Sequence, residues 1–214
     1  MSRSIVSQLR DTVPLRPLRY SEALRLAEIQ AQKFLALTGI TEPSVPERII
    51  SDLPYVQVTR MIPFPTSGAT HWSAGRWMVV LNGSEPVTRQ RFSLAHEAKH
   101  IIDDRFVRLI YSQFPANERA AMVEHVCDFF AGCLLMPRPW VKRLFCSRVT
   151  GMQELPRLAA AFGVSQAAIS VRLNQIGLVA QTPRCLPRPN DWTLKALSEI
   201  TARPIYERQA SYVM

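Results

Sequence analysis

Long apolar runs are missing from this sequence. The longest, 129–136, falls far short of the roughly 20 residues that a bilayer requires, so no membrane-spanning helix is expected. The first residues, MSRSIVSQLRDTV, lack the apolar centre and small-residue cleavage site of a secretory signal. The expectation is a cytoplasmic chain in a reducing environment. Paired cysteine motifs are missing too: Cys127, Cys133, Cys146 and Cys185 show neither CxxC spacing nor an extracellular disulfide framework. Cys127 and Cys133 lie in an apolar helical run and read as core thiols. Acidic residues are the minority charge, 17 against 26 Lys and Arg, which leaves a net charge of +9. That excess is spread along the chain, with one modest concentration at Arg138, Lys142, Arg143 and Arg148. A spread excess describes a solvated basic surface, whereas a phosphate-binding stripe would be concentrated. Internal repeats and low-complexity tracts are absent as well. What remains, 47% hydrophobic and 20% charged, is the composition of a soluble globular protein with one core or a core plus a small satellite.

Periodicity divides the chain into a mainly helical α+β fold. After Pro14 and Pro17, Ser21 can cap a helix on which Leu24, Ala27, Ala31, Phe34 and Leu35 keep a 3.6-residue period, ending at Gly39. A short helix is expected around Glu47–Leu53. Residues 55–59 alternate as a strand, and 69–73 with 76–82 read as a hairpin turning at Ala74-Gly75. From Arg89 to about Asp103 the pattern is helical again, and a second long helix covers 116–136, stopped by Pro137. Pro139 suits the first turn of a helix over 140–148. A helical unit follows from Glu154 to about Ile176, and the Pro-rich remainder carries one short helix near 193–200.

With only four histidines in the chain, the placement of two of them is informative. His96-Glu97-Ala98-Lys99-His100 sets two imidazoles one helical turn apart on one face, where both can reach a single zinc ion. Glu97, beside the first ligand, has the place of a general base toward a metal-bound water. A catalytic zinc takes three protein ligands and leaves a fourth position open. Glu124, on the next long helix, is the third ligand of this reading. Asp128, one turn on, is placed to accept a hydrogen bond from a ligating imidazole and so fix its tautomer. One zinc ion is expected, although imidazole and carboxylate donors also suit other divalent metals. Tyr111, His125 and His71 are the candidates for the oxyanion partner.

The run Arg91-Phe92-Ser93-Leu94-Ala95-His96-Glu97-x-x-His100 is followed by Glu124-x-x-Cys127-Asp128-x-Phe130-Ala131-Gly132-x-Leu134-Leu135-Met136-Pro137. Together they resemble the ImmA/IrrE family of metallopeptidases over roughly residues 20–180. This chain has Cys127, Asp128 and Gly132 where the family pattern has Ala, Asn and Ala, and none of these removes a ligand. The resemblance implies a zincin-like domain over 1–150 with a small, mostly antiparallel sheet above the active helix. It implies a protein substrate, a helix-turn-helix repressor, whose cleavage relieves repression. An edge strand within 69–82 would pair with the substrate peptide.

Residues 151–180 resemble a helix-turn-helix. Leu158, Ala159, Phe162, Val164, Ile169, Leu173 and Ile176 would form its small core, Gly163 its turn and Ser165 its cap. Gln166, Ser170, Arg172 and Asn174 would then face a nucleic acid or a protein partner. Arg157 and Arg172 are its only cations, so DNA is not the favoured partner. The competing function is a DNA- or repressor-binding regulator with a silent or secondary peptidase site. An adjacent base beside the metal ligands argues for the enzyme, and residues 181–214 read as a C-terminal extension.

Overall fold

The computed structural model describes residues 3–145 and 151–179. The expected helix near 193–200 and the C-terminal extension lie outside the described residues. Three long helices carry the architecture: α2 (Tyr20–Thr38), α4 (Val87–Asp103) and α6 (Arg119–Leu135). The shorter helices are α1 (Ile5–Arg10), α3 (Arg48–Ser51), α5 (Val107–Ile110), α7 (Arg138–Leu144), α8 (Gly151–Phe162) and α9 (Gln166–Gln175). Three strands, β1 (Val56–Met61), β2 (Gly68–Ser73) and β3 (Arg76–Asn82), lie between α3 and α4.

Helix α2 buries Ala23, Leu26, Ala27, Gln30, Ala31, Phe34 and Leu35, the 3.6-residue stripe read from the sequence. It begins one residue before Ser21. Arg19 is its capping residue, and the Arg19 N–H donates to Glu22 Oε2 at 2.8 Å. Gly39 ends it at φ +68°, a left-handed position that a Cβ would strain. Helix α6 packs against α2 on one side and α4 on the other, and α4 also covers β2 and β3. Phe34, Ile102, Phe130 and Leu134 are fully buried where these layers meet. Each such side chain stabilises the fold by roughly 1.5–3 kcal/mol. No single helix among the described residues is long and apolar enough to cross a membrane. The α6–α7 pair bends by 52°, and its apolar character comes mainly from α6, which lies in the core, whereas α7 buries only Val141.

The sheet order is β1-β3-β2, with β1 parallel and β2 antiparallel to β3. It is therefore evenly mixed, which corrects the expectation of a mostly antiparallel sheet. The hairpin reading gives the β2–β3 pair, but strand periodicity carries no sign of which way β1 runs. Ala74 (φ 48°) and Gly75 (φ 76°) make the tight turn between β2 and β3. Trp72 and Trp77 face each other beside it, ring centroids 5.2 Å apart. Val79 and Leu81 turn inward under α4, and their β2 register partners Thr70 and Gly68 share that face.

Beyond α7, Gly163 (φ +64°) turns the chain between α8 and α9, and Ser165 Oγ accepts from the Ala168 N–H at 3.1 Å. The small core expected here is present: Leu158, Phe162, Val164, Ile169 and Leu173 are buried. These helices belong to the same compact unit as the rest of residues 1–179.

Candidate metal centre

Helix α4 buries Leu94, Ala95, Ala98, Ile101 and Ile102, which leaves His96 and His100 together at the margin of the stripe. Their side chains are 14% and 27% exposed. Alongside, α6 presents Glu124 and Asp128 one turn apart, both carboxylates more than half exposed. His96 Nε2 lies 3.1 Å from His100 Nε2 and 3.2 Å from Glu124 Oε2. His100 Nε2 lies 3.6 Å from Glu124 Oε1. Donors held at about 2.0–2.1 Å around a tetrahedral zinc stand about 3.3 Å apart, and these spacings are of that order, with Glu124 turning a different oxygen to each ring. Behind it, Asp128 Oδ1 is 2.8 Å from His96 Nδ1, the contact expected of a carboxylate that orients a ligand.

A second donor group is nearby. Potential ligand atoms of His96, His100 and Cys127 all lie within 4.8 Å of one another. Cys127 Sγ, however, faces His100 Nδ1 at 3.8 Å, across the ring from the nitrogen that meets Glu124. The three closest donors that share one side are His96, His100 and Glu124, and these residues fit the metal.

With no metal in place, the charges compensate one another. Burial alone would depress the His96 pKa, but hydrogen bonds to Asp128 and Glu124 raise it to about 10. Burial opposes the His100 charge in the same way, and Cys127 and Glu124 still raise its pKa well above the usual value. Burial would raise Glu124, yet the two imidazoles hold it well below the usual carboxylate range.

Glu97 is buried, and burial raises its pKa against the pull of His100 and His96. Gly68, on β2, closes the other side of this carboxylate. A Cβ at Gly68 would stand 3.0 Å from Glu97 Oε1, so the strand approaches the base closely only because the residue is glycine. The Thr70 hydroxyl also faces Glu97 and weakly lowers its pKa, though it falls short of ordinary hydrogen-bond geometry. Neither residue was picked out from sequence. The one available signal was a glycine opening the strand that precedes the motif.

The three oxyanion candidates do not gather at the centre. Tyr111 is buried and its hydroxyl donates to Asp103, which also takes Lys99 Nζ at 2.7 Å. That hydroxyl is committed to the core. His125 stacks on Tyr20 and hydrogen-bonds its hydroxyl. His71 alternates with Thr70 and so lies on the sheet face turned away from Glu97. The partner-contact set on α9 is also divided. Gln166 is exposed, and Ser170 and Asn174 are half-buried. Arg172, expected among the outward contacts, instead points inward: it is only 2% exposed and its Nε donates to Met136 O at 3.0 Å.

A mixed sheet lies over a helix that carries two histidines and a buried glutamate, and the next long helix supplies a carboxylate, an arrangement able to hold a divalent metal beside a base. The sequence model of a peptidase family described as the IrrE N-terminal-like domain matches residues 55–174, and the chain belongs to that family. Among curated proteins, the radiation response metalloprotease IrrE of Deinococcus radiodurans is 28% identical over 109 residues. That match takes in 50% of this chain and 32% of the relative, so the chain corresponds to about a third of the relative's length. Among solved structures, a Mycobacterium tuberculosis transcriptional regulator shares the fold, with a TM-score of 0.56 at 14% identity. The match covers 85% of this chain and 54% of that one.

Proposed function

We propose that the protein is a zinc-dependent endopeptidase whose substrate is another protein, a helix-turn-helix transcriptional repressor. The observation that carries this reading is the convergence of His96, His100 and Glu124 beside the buried carboxylate of Glu97. His96, His100 and Glu124 would hold the zinc ion. When bound, the ion supplies Lewis acidity to a water molecule and to the scissile carbonyl.

Glu97 takes the proton from the attacking water and delivers it to the leaving amine. Its raised pKa brings it closer to neutral pH, where a base that must also act as an acid is most effective. Asp128 keeps the hydrogen of His96 on Nδ1, which leaves Nε2 free as a ligand. β2 is an edge strand, so its unpaired side can accept an extended peptide next to Glu97. The repressor as substrate rests on the family resemblance.

The test measures metal content and cleavage for wild type, His96→Ala and Glu97→Gln, each incubated with purified helix-turn-helix repressors from the same genome. Wild type and Glu97→Gln are expected to hold about one zinc per chain and His96→Ala to lose it. Wild type should cut, Glu97→Gln should cut about 10²–10⁴-fold more slowly, and His96→Ala should not cut. A wild-type protein that takes up no divalent metal after reconstitution would end this reading. Equal cleavage by Glu97→Gln would remove the role given to the base.

A further inference from the structure

The two imidazoles of the centre are buttressed differently. His96 has the carboxylate of Asp128 behind it, and His100 has the thiol of Cys127. Both supports, together with Glu124, come from little more than one turn of α6. We infer that Cys127 is a positioning residue for His100: its sulfur accepts the hydrogen of Nδ1 and thereby commits Nε2 to the metal. This rests on the metal-centre reading above.

The argument starts from the ring. The nitrogens of an imidazole point out of different edges, so one ring cannot offer both to the same ion. His100 Nε2 is the nitrogen that lies among His96 Nε2 and Glu124 Oε1. Nδ1 must then carry the hydrogen, and a ligating histidine needs an acceptor for it. Among the described residues the partner of Nδ1 is Cys127 Sγ, at 3.8 Å, a long hydrogen-bond distance but within reach of sulfur. The thiol is 1% exposed, so bulk water does not compete for the contact.

The alternative roles fit less well. An ion shared by Cys127 and His100 as they stand would lie at the Nδ1 edge of the ring, away from the Nε2 edge that meets His96 and Glu124. A thiol present for packing alone has no need to face the one polar edge of His100.

The test uses the full chain as wild type, Cys127→Val and Cys127→Asn. Valine fills the space without an acceptor, and the asparagine carbonyl reaches further than the sulfur. Zn2+ affinity is measured by competition with a chelating dye, and the near-ultraviolet spectrum is recorded on Co2+-loaded wild type. Cys127→Val is expected to bind Zn2+ about tenfold more weakly, near the lower limit for loss of an outer partner, and Cys127→Asn to stay within about threefold of wild type. The Co2+ spectrum should lack a thiolate-to-metal charge-transfer band. Thermal unfolding of each metal-free protein checks the fold, and Cys127→Ala takes the place of a valine variant that does not fold. Unchanged affinity in the valine or alanine variant would overturn the inference, as would equal losses in the valine and asparagine variants. A charge-transfer band would overturn it too, by making Cys127 a ligand. Failure of wild type to take up either ion is a separate result that removes the metal centre itself.

Discussion

His96 without metal is an imidazolium held between two carboxylates, and this gives the centre a defined response to pH. Its pKa, raised to about 10 from the usual 6.5, stabilises the folded metal-free protein. That contribution is fully present below about pH 6.5 and is lost as the pH rises toward 10. Metal binding has the opposite dependence, because the ion must displace the protons on His96 and His100. Thermal unfolding from pH 6.5 to 10 should therefore show the metal-free protein weakening while the stabilisation by added Zn2+ grows. A zinc-induced shift that stays constant over this range would contradict the assigned charges. Gly68 supports a second prediction at this scale. In Gly68→Val the new side chain would start 3.0 Å from Glu97 Oε1 and 3.4 Å from Leu81 Cδ2. The carboxylate must move, so cleavage should fall by about 10–10²-fold while zinc affinity is kept, as expected for a misplaced base. Full activity in Gly68→Val would mean that the close approach has no catalytic consequence.

At the level of elements, the active helix is tied to its neighbours by a buried polar network on the side away from the metal. Lys99 Nζ donates to Gln30 Oε1 on α2 at 2.7 Å and pairs with Asp103, whose other contact is the Tyr111 hydroxyl just after α5. Lys99 and Asp103 are both essentially inaccessible. Lys99→Met would leave the Asp103 charge buried with only the tyrosine for support, which should cost about 3–5 kcal/mol. Denaturant unfolding of the metal-free protein measures this, and Lys99→Met combined with Asp103→Leu should recover much of the loss. A loss below about 1 kcal/mol in the single variant would show that the pair contributes no more than a surface ion pair. The same network shows which features were legible in the sequence. His96 with His100, and Glu124 with Asp128, follow from the helical repeat alone, because each pair lies on one helix. Contacts made between elements left no such trace. Tyr111 reads as a candidate oxyanion partner until the packing of α4 and α5 buries it against Asp103. Gly68 and Cys127 matter only through the packing of β2 and α6 on α4. The helices α1 and α5 are six and four residues long, too short to show a period.

Across the whole molecule, the question is whether α8 and α9 stand apart as a reader of nucleic acid or are built into the peptidase unit. Their contacts favour the second. Arg172 Nε donates to Met136 O at the end of α6, the guanidinium lies 3.6 Å from Glu28 Oε1 on α2, and it sits over the Phe129 ring. Gly163 is held so close to Ser44 and Arg91 that a Cβ there would come within 2.9 Å of Ser44 Oγ. Arg91 opens the motif-bearing stretch of α4 and binds Ser44 Oγ and Val45 O, each at 2.7 Å. The turn between α8 and α9 therefore rests on α4, the helix of the proposed ligands His96 and His100. Arg172→Met should leave the Met136 carbonyl and Glu28 without their cation, destabilising the protein by about 2–4 kcal/mol. The exposed Gln166→Ala should stay within about 0.5 kcal/mol. Denaturant unfolding followed by far-ultraviolet circular dichroism, and by a fluorophore placed on α9, distinguishes the two arrangements. Coincident transitions that shift together in Arg172→Met are expected of a single cooperative unit. An early transition on α9 alone, with the remaining helices unaffected by Arg172→Met, would instead describe a separate module. In that case its outward face would again be a candidate surface for a partner.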